Sequence, residues 1–181
     1  MHACPRTSAA TEVRDVLGDI RLTKDESPYV LVSDLTFRSY DADESSGCSV
    51  ARETLTVEAG VEVDLQGYDV RVEGGAVDID GATVTGSWAY FYVDDRTVCG
   101  EVWQGRATVA GATLSGVSLD ARDAASLTVS DSEALVGDSG SRIWARERAT
   151  MALSRNEIRG NVVLDGRRIR SSTTIFKARF T

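Results

Sequence analysis

LTVEAGVEVDLQGYDVRVEGGAVDIDGATVTG, residues 55–86, carries apolar side chains at alternate positions in short phrases, and the phrases return downstream. Val77, Ile79, Val84 and Gly86 align with Ala107, Val109, Leu114 and Gly116, thirty positions on. They align again with Met151, Leu153, Ile158 and Gly160 after a further 44, two steps of 22, and Leu127, Val129 and Ala134 with a late Gly137 fill the step between. Twenty-two residues back from Val77 and Ile79 stand Leu55 and Val57, and 22 forward from Leu153 and Ile158 stand Ile175 and Phe180. Alternation of period two sends successive side chains to opposite faces and marks strands. Self-similarity at a period of about 20 to 50 residues marks stacked repeats. With no helical segment between copies, the pattern predicts an all-β solenoid in which Val57, Ile79, Val109 and Leu153 share one interior column.

At this point the phrases resemble those of a known fold. ETLTVEAGVEVDLQGYDV, residues 53–70, resembles the opening coil of right-handed parallel β-helix proteins, the pectate-lyase-like superfold. LSRNEIRGN, residues 153–161, is similar to their short phrase of hydrophobe, Asn, hydrophobe, Gly. The resemblance runs from about residue 48 to the last residue. It implies a right-handed parallel β-helix of about six coils, stacked at ~4.8 Å to a height on the order of 30 Å. Polysaccharide lyases, glycoside hydrolases, phage tailspikes, adhesins and inert coils share that superfold, so it implies no single activity.

The length of 181 residues with 42% hydrophobic content fits one domain with a real core. Residues 1–10 are expected to be a disordered tail, and residues 11–47 an N-terminal cap of helix, strand and acidic loop. In 11–23, Val13, Val16, Leu17 and Ile20 have helical spacing, with Thr11 as N-cap and Glu12 and Asp15 in the first turn. Such a capping helix would cover the first coil's open edge. Residues 29–37 read as a strand and 39–47 as the acidic loop. The β-helix domain then spans 48–181, interrupted by an inserted aromatic loop at 87–105 that lengthens one step from 22 to thirty residues.

Net charge is −8 overall but +7 over residues 142–181, with ten Lys or Arg against three acids, which leaves −15 in the rest. In a stack, sequence order is spatial order, so a basic C-terminal end and an acidic body are expected. Because the chain stops near Phe180 without a polar cap, a second copy or another protein is the expected partner of that end. Cys4, Cys48 and Cys99 lack the spacing of a zinc site. Cys48 and Cys99 read either as a disulfide or as two free thiols. Ala3-Cys4 is similar to the site at which bacterial lipoproteins are lipidated, yet no apolar run precedes it, and no signal peptide is evident. No stretch approaches the ~20 apolar residues of a transmembrane span.

The loop at 87–105 concentrates Trp88, Tyr90, Tyr92 and Trp103 with Asp94, Asp95 and Arg96. Aromatic faces beside carboxylates and an arginine are how proteins hold sugars, so these seven are the candidate ligand-binding residues for a polysaccharide. The alternative is that the rings pack the loop onto the coils below. For catalysis the 22-residue period sets up two outward rows, Thr56, Asp78, Thr108, Thr128, Ala152, Thr174 and Glu58, Asp80, Ala110, Ser130, Ser154, Phe176. Only Glu58, Asp78 and Asp80 cluster, and they are the candidate catalytic or calcium-binding set. His2 is the only histidine and lies in the tail, which excludes histidine triads and zinc chemistry. Nucleic-acid binding is not expected, since the basic end offers only Trp144, Phe176 and Phe180 for stacking.

The leading expectation is a non-enzymatic β-helix without a cofactor, binding or assembling on a cell surface, in a secreted setting or in a virion-like particle. The contact is through the basic end or the aromatic loop. The other is a carbohydrate-active enzyme, a lyase or hydrolase of acidic polysaccharide, with calcium.

Overall fold

A computed structural model describes residues 9–42, 49–135, 142–159, 161–166, 169–172 and 175–176. The chain opens with β1 (Thr11–Val13), β2 (Ile20–Leu22), β3 (Tyr29–Leu31) and β4 (Leu35–Asp41), and β5 (Val50–Arg52) folds back antiparallel on β4. Then follow β6 (Thr54–Val57), β7 (Glu62–Asp64), β8 (Val70–Glu73), β9 (Ala76–Asp80) and the long β10 (Thr83–Asp94). An antiparallel hairpin, β11 (Arg96–Val98) with β12 (Glu101–Trp103), precedes β13 (Arg106–Ala110) and β14 (Thr113–Ala121). The rest are β15 (Ser126–Ser130), β16 (Glu133–Leu135), β17 (Arg142–Glu147), β18 (Thr150–Ser154), β19 (Glu157–Arg159), β20 (Asn161–Gly166), β21 (Ile169–Ser172) and β22 (Ile175–Phe176).

These strands form curled, mostly parallel sheets. Ladder I runs β2-β6-β9-β13-β15-β18-β21. Ladder II runs β1-β3-β7-β10-β14-β16-β19-β22, using the first halves of β10 and β14. Ladder III joins β4, β8, the second halves of β10 and β14, β17 and β20. From β6 onward the chain visits I, II and III in the same rotation, so each circuit lays one strand on each ladder.

Alternation explains which side is buried. On ladder I, Leu22, Val57, Ile79, Val109, Val129 and Leu153 are successive register partners, all buried. On ladder II the inward row is Val63, Val84, Leu114, Ala134 and Ile158. On ladder III it is Phe37, Val72, Val93, Ala121 and Ala145. The three rows face one another as one core cluster, and each fully buried Leu, Ile or Val contributes roughly 1.5–3 kcal/mol.

Corners are closed by polar side chains and small residues. Asp69 Oδ1 accepts from the Tyr90 N–H at 3.1 Å, and Asp34 Oδ1 from the Asp69 N–H at 2.9 Å, tying successive circuits together. Asn156, from the phrase singled out in the sequence, is buried: its Oδ1 accepts from the Ser132 N–H (3.0 Å) and its Nδ2 donates to the Val129 carbonyl (2.7 Å). Between ladders III and I, Glu53, Gly75, Gly105 and Ala125 stack, each carbonyl accepting from the N–H that opens the next circuit's ladder I strand. There is no room for side chains at the two glycines. A Cβ on Gly75 would stand 2.5 Å from the Phe37 carbonyl oxygen, and one on Gly105 would overlap that of Asp94.

Three expectations are corrected. Residues 11–23 form no helix: β1 pairs with β3 and β2 with β6, while Leu17, read as apolar-face, is 92% exposed. Sheet edges there satisfy the backbone, and Gly18 at φ +108° does not favour helix. The sole helical element among the described residues is the 3-10 turn Lys24–Glu26, and none is long and apolar enough to cross a membrane. The last circuit is shorter than 22 residues, because Leu153 pairs with Ser171 and Ile158 with Phe176. Ala152 accordingly meets Arg170 and Ser154 meets Ser172, in place of Thr174 and Phe176. Finally, the aromatic stretch at 87–105 divides: residues up to Asp94 continue β10 on ladder III, and only the β11–β12 hairpin is extra.

Candidate functional site

β10 bends at Gly86, where its register to β14 shifts, and then alternates cleanly. Ala89, Phe91 and Val93 turn into the core, while Tyr90, Tyr92 and Asp94 lie on the outer side of ladder III. Register then assembles the site. Arg71, Tyr92, Asp120 and Trp144 are successive partners in one row, and Glu73 is Asp94's partner in the next. The Tyr90 and Tyr92 rings stack at 5.1 Å with 7° between planes. Arg71 and Arg122 lie over the Tyr92 ring at 5.4 and 4.8 Å, and Arg142 and Arg146 over Trp144 at 5.0 and 4.1 Å. Arg71, Glu73, Tyr92, Asp94 and Arg122 line a cavity of about 220 Å³.

Beneath this surface lies Asp120, whose side chain is 0% exposed. One carboxylate oxygen accepts from Arg122 Nε (3.0 Å) and Nη2 (2.6 Å), and Arg146 Nε stands 3.3 Å from the other as an ion pair. The hydrogen bond to Asp120 raises the Arg122 pKa. Glu73 is held by Arg96 (2.7 Å) and Arg38 (3.4 Å). The Asp94 Oδ1, like that of Asp120, is buried and has no hydrogen-bond partner among the described residues. Burial pushes the Asp94 carboxyl above its ordinary range; Arg122 opposes, and Asp123, Asp120 and Glu73 reinforce. Burial likewise raises Asp69, against the N–H it accepts from Tyr90, and raises the Tyr92 hydroxyl, which therefore stays a donor.

The raised Asp94 sets a pH dependence of stability. Between the ordinary carboxylate value and the raised one, the native state holds a proton that the unfolded chain has released, so stability falls as pH rises through that window. Asp94→Asn is expected to raise the thermal midpoint at neutral pH. The gain should vanish below the ordinary carboxylate range, as melting curves across pH would show.

Of the residues anticipated for ligand binding, Tyr90, Tyr92 and Asp94 lie together on ladder III, and Arg96, on the β11–β12 hairpin, reaches that face through its ion pair with Glu73 at 2.7 Å. Trp88 stands at the bend with φ +66° and is 62% exposed. Asp95 links β10 to β11, half-buried. Trp103 sits on the hairpin, with Arg52 over its ring at 5.8 Å and its Nε1 buried without a partner among the described residues. The sequence reading missed Arg71, Glu73, Asp120, Arg122, Trp144 and Arg146. The available signal was register: Arg71 lies 21 residues before Tyr92, close to the repeat.

Glu58, Asp78 and Asp80 do come together, on the outer side of ladder I. With Arg21, Thr56, Thr108 and Ala110 they line a shallow depression of about 520 Å³, where Arg21 Nε donates to Glu58 at 2.7 Å. Among the described residues no group of three or more His, Cys, Asp or Glu is arranged to hold a metal ion. Cys99 is disulfide-bonded, with its Sγ 3.4 Å from Asp41 Oδ2. Cys4 and Cys48 lie outside the described residues, as do Arg167, Arg168, Lys177 and Arg179 of the basic end. Comparison of the chain with protein-family models, with curated proteins and with solved structures finds no match.

Proposed function

We propose that the three ladders are the faces of a right-handed parallel β-helix, and that ladder III is the saccharide-binding face of a non-enzymatic protein of a cell surface, a secreted setting or a virion-like particle. Right-handed winding is what parallel crossover connections adopt in about 98% of cases, because of strand twist. The disulfide at Cys99 agrees with an oxidising compartment. One observation carries the binding reading: Arg71, Tyr92, Asp120 and Trp144 align in register across four circuits, beside a cavity completed by Glu73, Asp94 and Arg122. Sugars present hydroxyls to acids and guanidinium groups, and C–H faces to aromatic rings. Tyr92 is flanked by Tyr90 and two arginines, so recognition at the cavity is mainly polar, and exposed Trp88 is the ring open to stacking.

Isothermal titration against a broad panel of oligosaccharides tests this. Binding of at least one member is expected, weakened ~10-fold or more, or ~1.4 kcal/mol, by Tyr92→Ala and by Trp88→Ala. Silence across the panel contradicts the reading. A second reading, a carbohydrate-active enzyme, draws on Glu73 and Asp94, register partners on the cavity wall whose surroundings differ, as acid–base pairs require. Shortened products from a bound glycan, abolished by Asp94→Asn, would favour it over simple binding; recovery of the glycan intact disfavours it.

A further inference from the structure

We infer that the ladder III cavity is an oxyanion site, taking a carboxylate or sulfate group of a saccharide between Arg71 and Arg122. The inference rests on the saccharide-binding reading and names the class of sugar. Both guanidinium groups lie over the same Tyr92 ring, at 5.4 and 4.8 Å, so two cations serve one cavity of about 220 Å³. Arg122 is oriented from below by buried Asp120 through Nε and Nη2, which leaves the Nη1 donors for a ligand. Among the described residues, the carboxylate contacts of Arg71 are long, 3.4 Å to Asp69 and 3.9 Å to Asp34. Planar guanidinium forks fixed in this way match carboxylate and sulfate oxygens.

The two acids of the lining do not cancel those cations equally. Glu73 is already engaged by Arg96 and Arg38. Asp94 faces Glu73 from β8, Arg122 and Asp120 from the β14 side, and Asp123 in the following turn, and its buried Oδ1 has no partner among the described residues. Protonated, it donates a hydrogen bond to a bound oxyanion; ionised, it repels one. Burial favours the protonated form, and the Tyr92 hydroxyl is a second donor on the same wall. Anion binding should therefore tighten as pH falls through Asp94's raised range.

The test is titration with trigalacturonate, a sulfated trisaccharide and neutral cellotriose over a pH series that stays above the uronate range, where uronate and sulfate stay charged. At least one charged ligand is expected to bind ~10-fold or more tighter than cellotriose, and tighter at lower pH. Which of the two binds better assigns carboxylate or sulfate. Arg71→Gln, at an exposed position, should abolish the preference, whereas Asp94→Asn should keep it and remove its pH dependence. Equal affinity for charged and neutral ligands, or a preference untouched by Arg71→Gln, overturns the oxyanion site and leaves saccharide binding standing. Failure to bind any oligosaccharide, with inorganic sulfate still shifting the Tyr92 ring resonances, does the reverse. No response to sulfate either overturns both.

Discussion

Gly105→Val is expected to destabilise the protein by about 3 kcal/mol or more, since its Cβ would meet the Asp94 carbonyl oxygen at the end of β10, which no rotamer change can move aside. Gly105 sits in the corner column between ladders III and I, with its Cβ direction aimed at the Asp94 and Val72 carbonyls. The column stacks through backbone hydrogen bonds from circuit to circuit, the Ser126 N–H donating to the Gly105 carbonyl at 2.9 Å. Gly100 supplies the contrast: φ is +80°, but nothing lies within 4 Å of a Cβ built there. Gly100→Ala should cost only the backbone strain of that conformation, about 1 kcal/mol. Urea unfolding of the two variants decides it. Equal, small losses would mean that the corner is not closely stacked.

Arg122→Ala is expected to cost about 3 kcal/mol, near the low end for breaking a buried ion pair by removing one partner. Asp120 is fully buried and, among the described residues, would keep Arg146 alone as an ion partner, 3.3 Å away. The low end applies because the Arg122 side chain is 37% exposed and water already screens part of the pair. Adding Asp120→Ala in the Arg122→Ala background should recover part of the loss, because the uncompensated carboxylate is then gone. A double-mutant cycle in urea measures the coupling. Additive losses would show that Asp120 does not depend on Arg122.

Ladder I was legible in the sequence because its inward residues are large and its outward ones small or polar: Val57, Ile79, Val109, Val129 and Leu153 stand in the register their alternation implied. The site was legible only in part. Tyr90, Tyr92 and Asp94 stood out by type and alternation, but Arg71, Asp120 and Trp144 reach them through register on ladder III. That register drifts. Tyr92 meets Asp120 across the β11–β12 hairpin, so the spacing read on one ladder does not carry unchanged to another. The misread helix has a similar origin. Val13, Val16, Leu17 and Ile20 fit a helical stripe by spacing, yet the strands beside them offered backbone partners that a short helix interrupted by Gly18 did not outweigh.

The stacking of circuits is tested most directly by methyl–methyl nuclear Overhauser spectroscopy along ladder I. Val57, Ile79, Val109, Val129 and Leu153 are all methyl-bearing and buried, and consecutive strands lie ~4.8 Å apart. An unbroken series of cross-peaks, each residue to the next in that order, is the expected result. A missing link with both signals assigned, or methyls of Val57 touching those of Val129 directly, would contradict it.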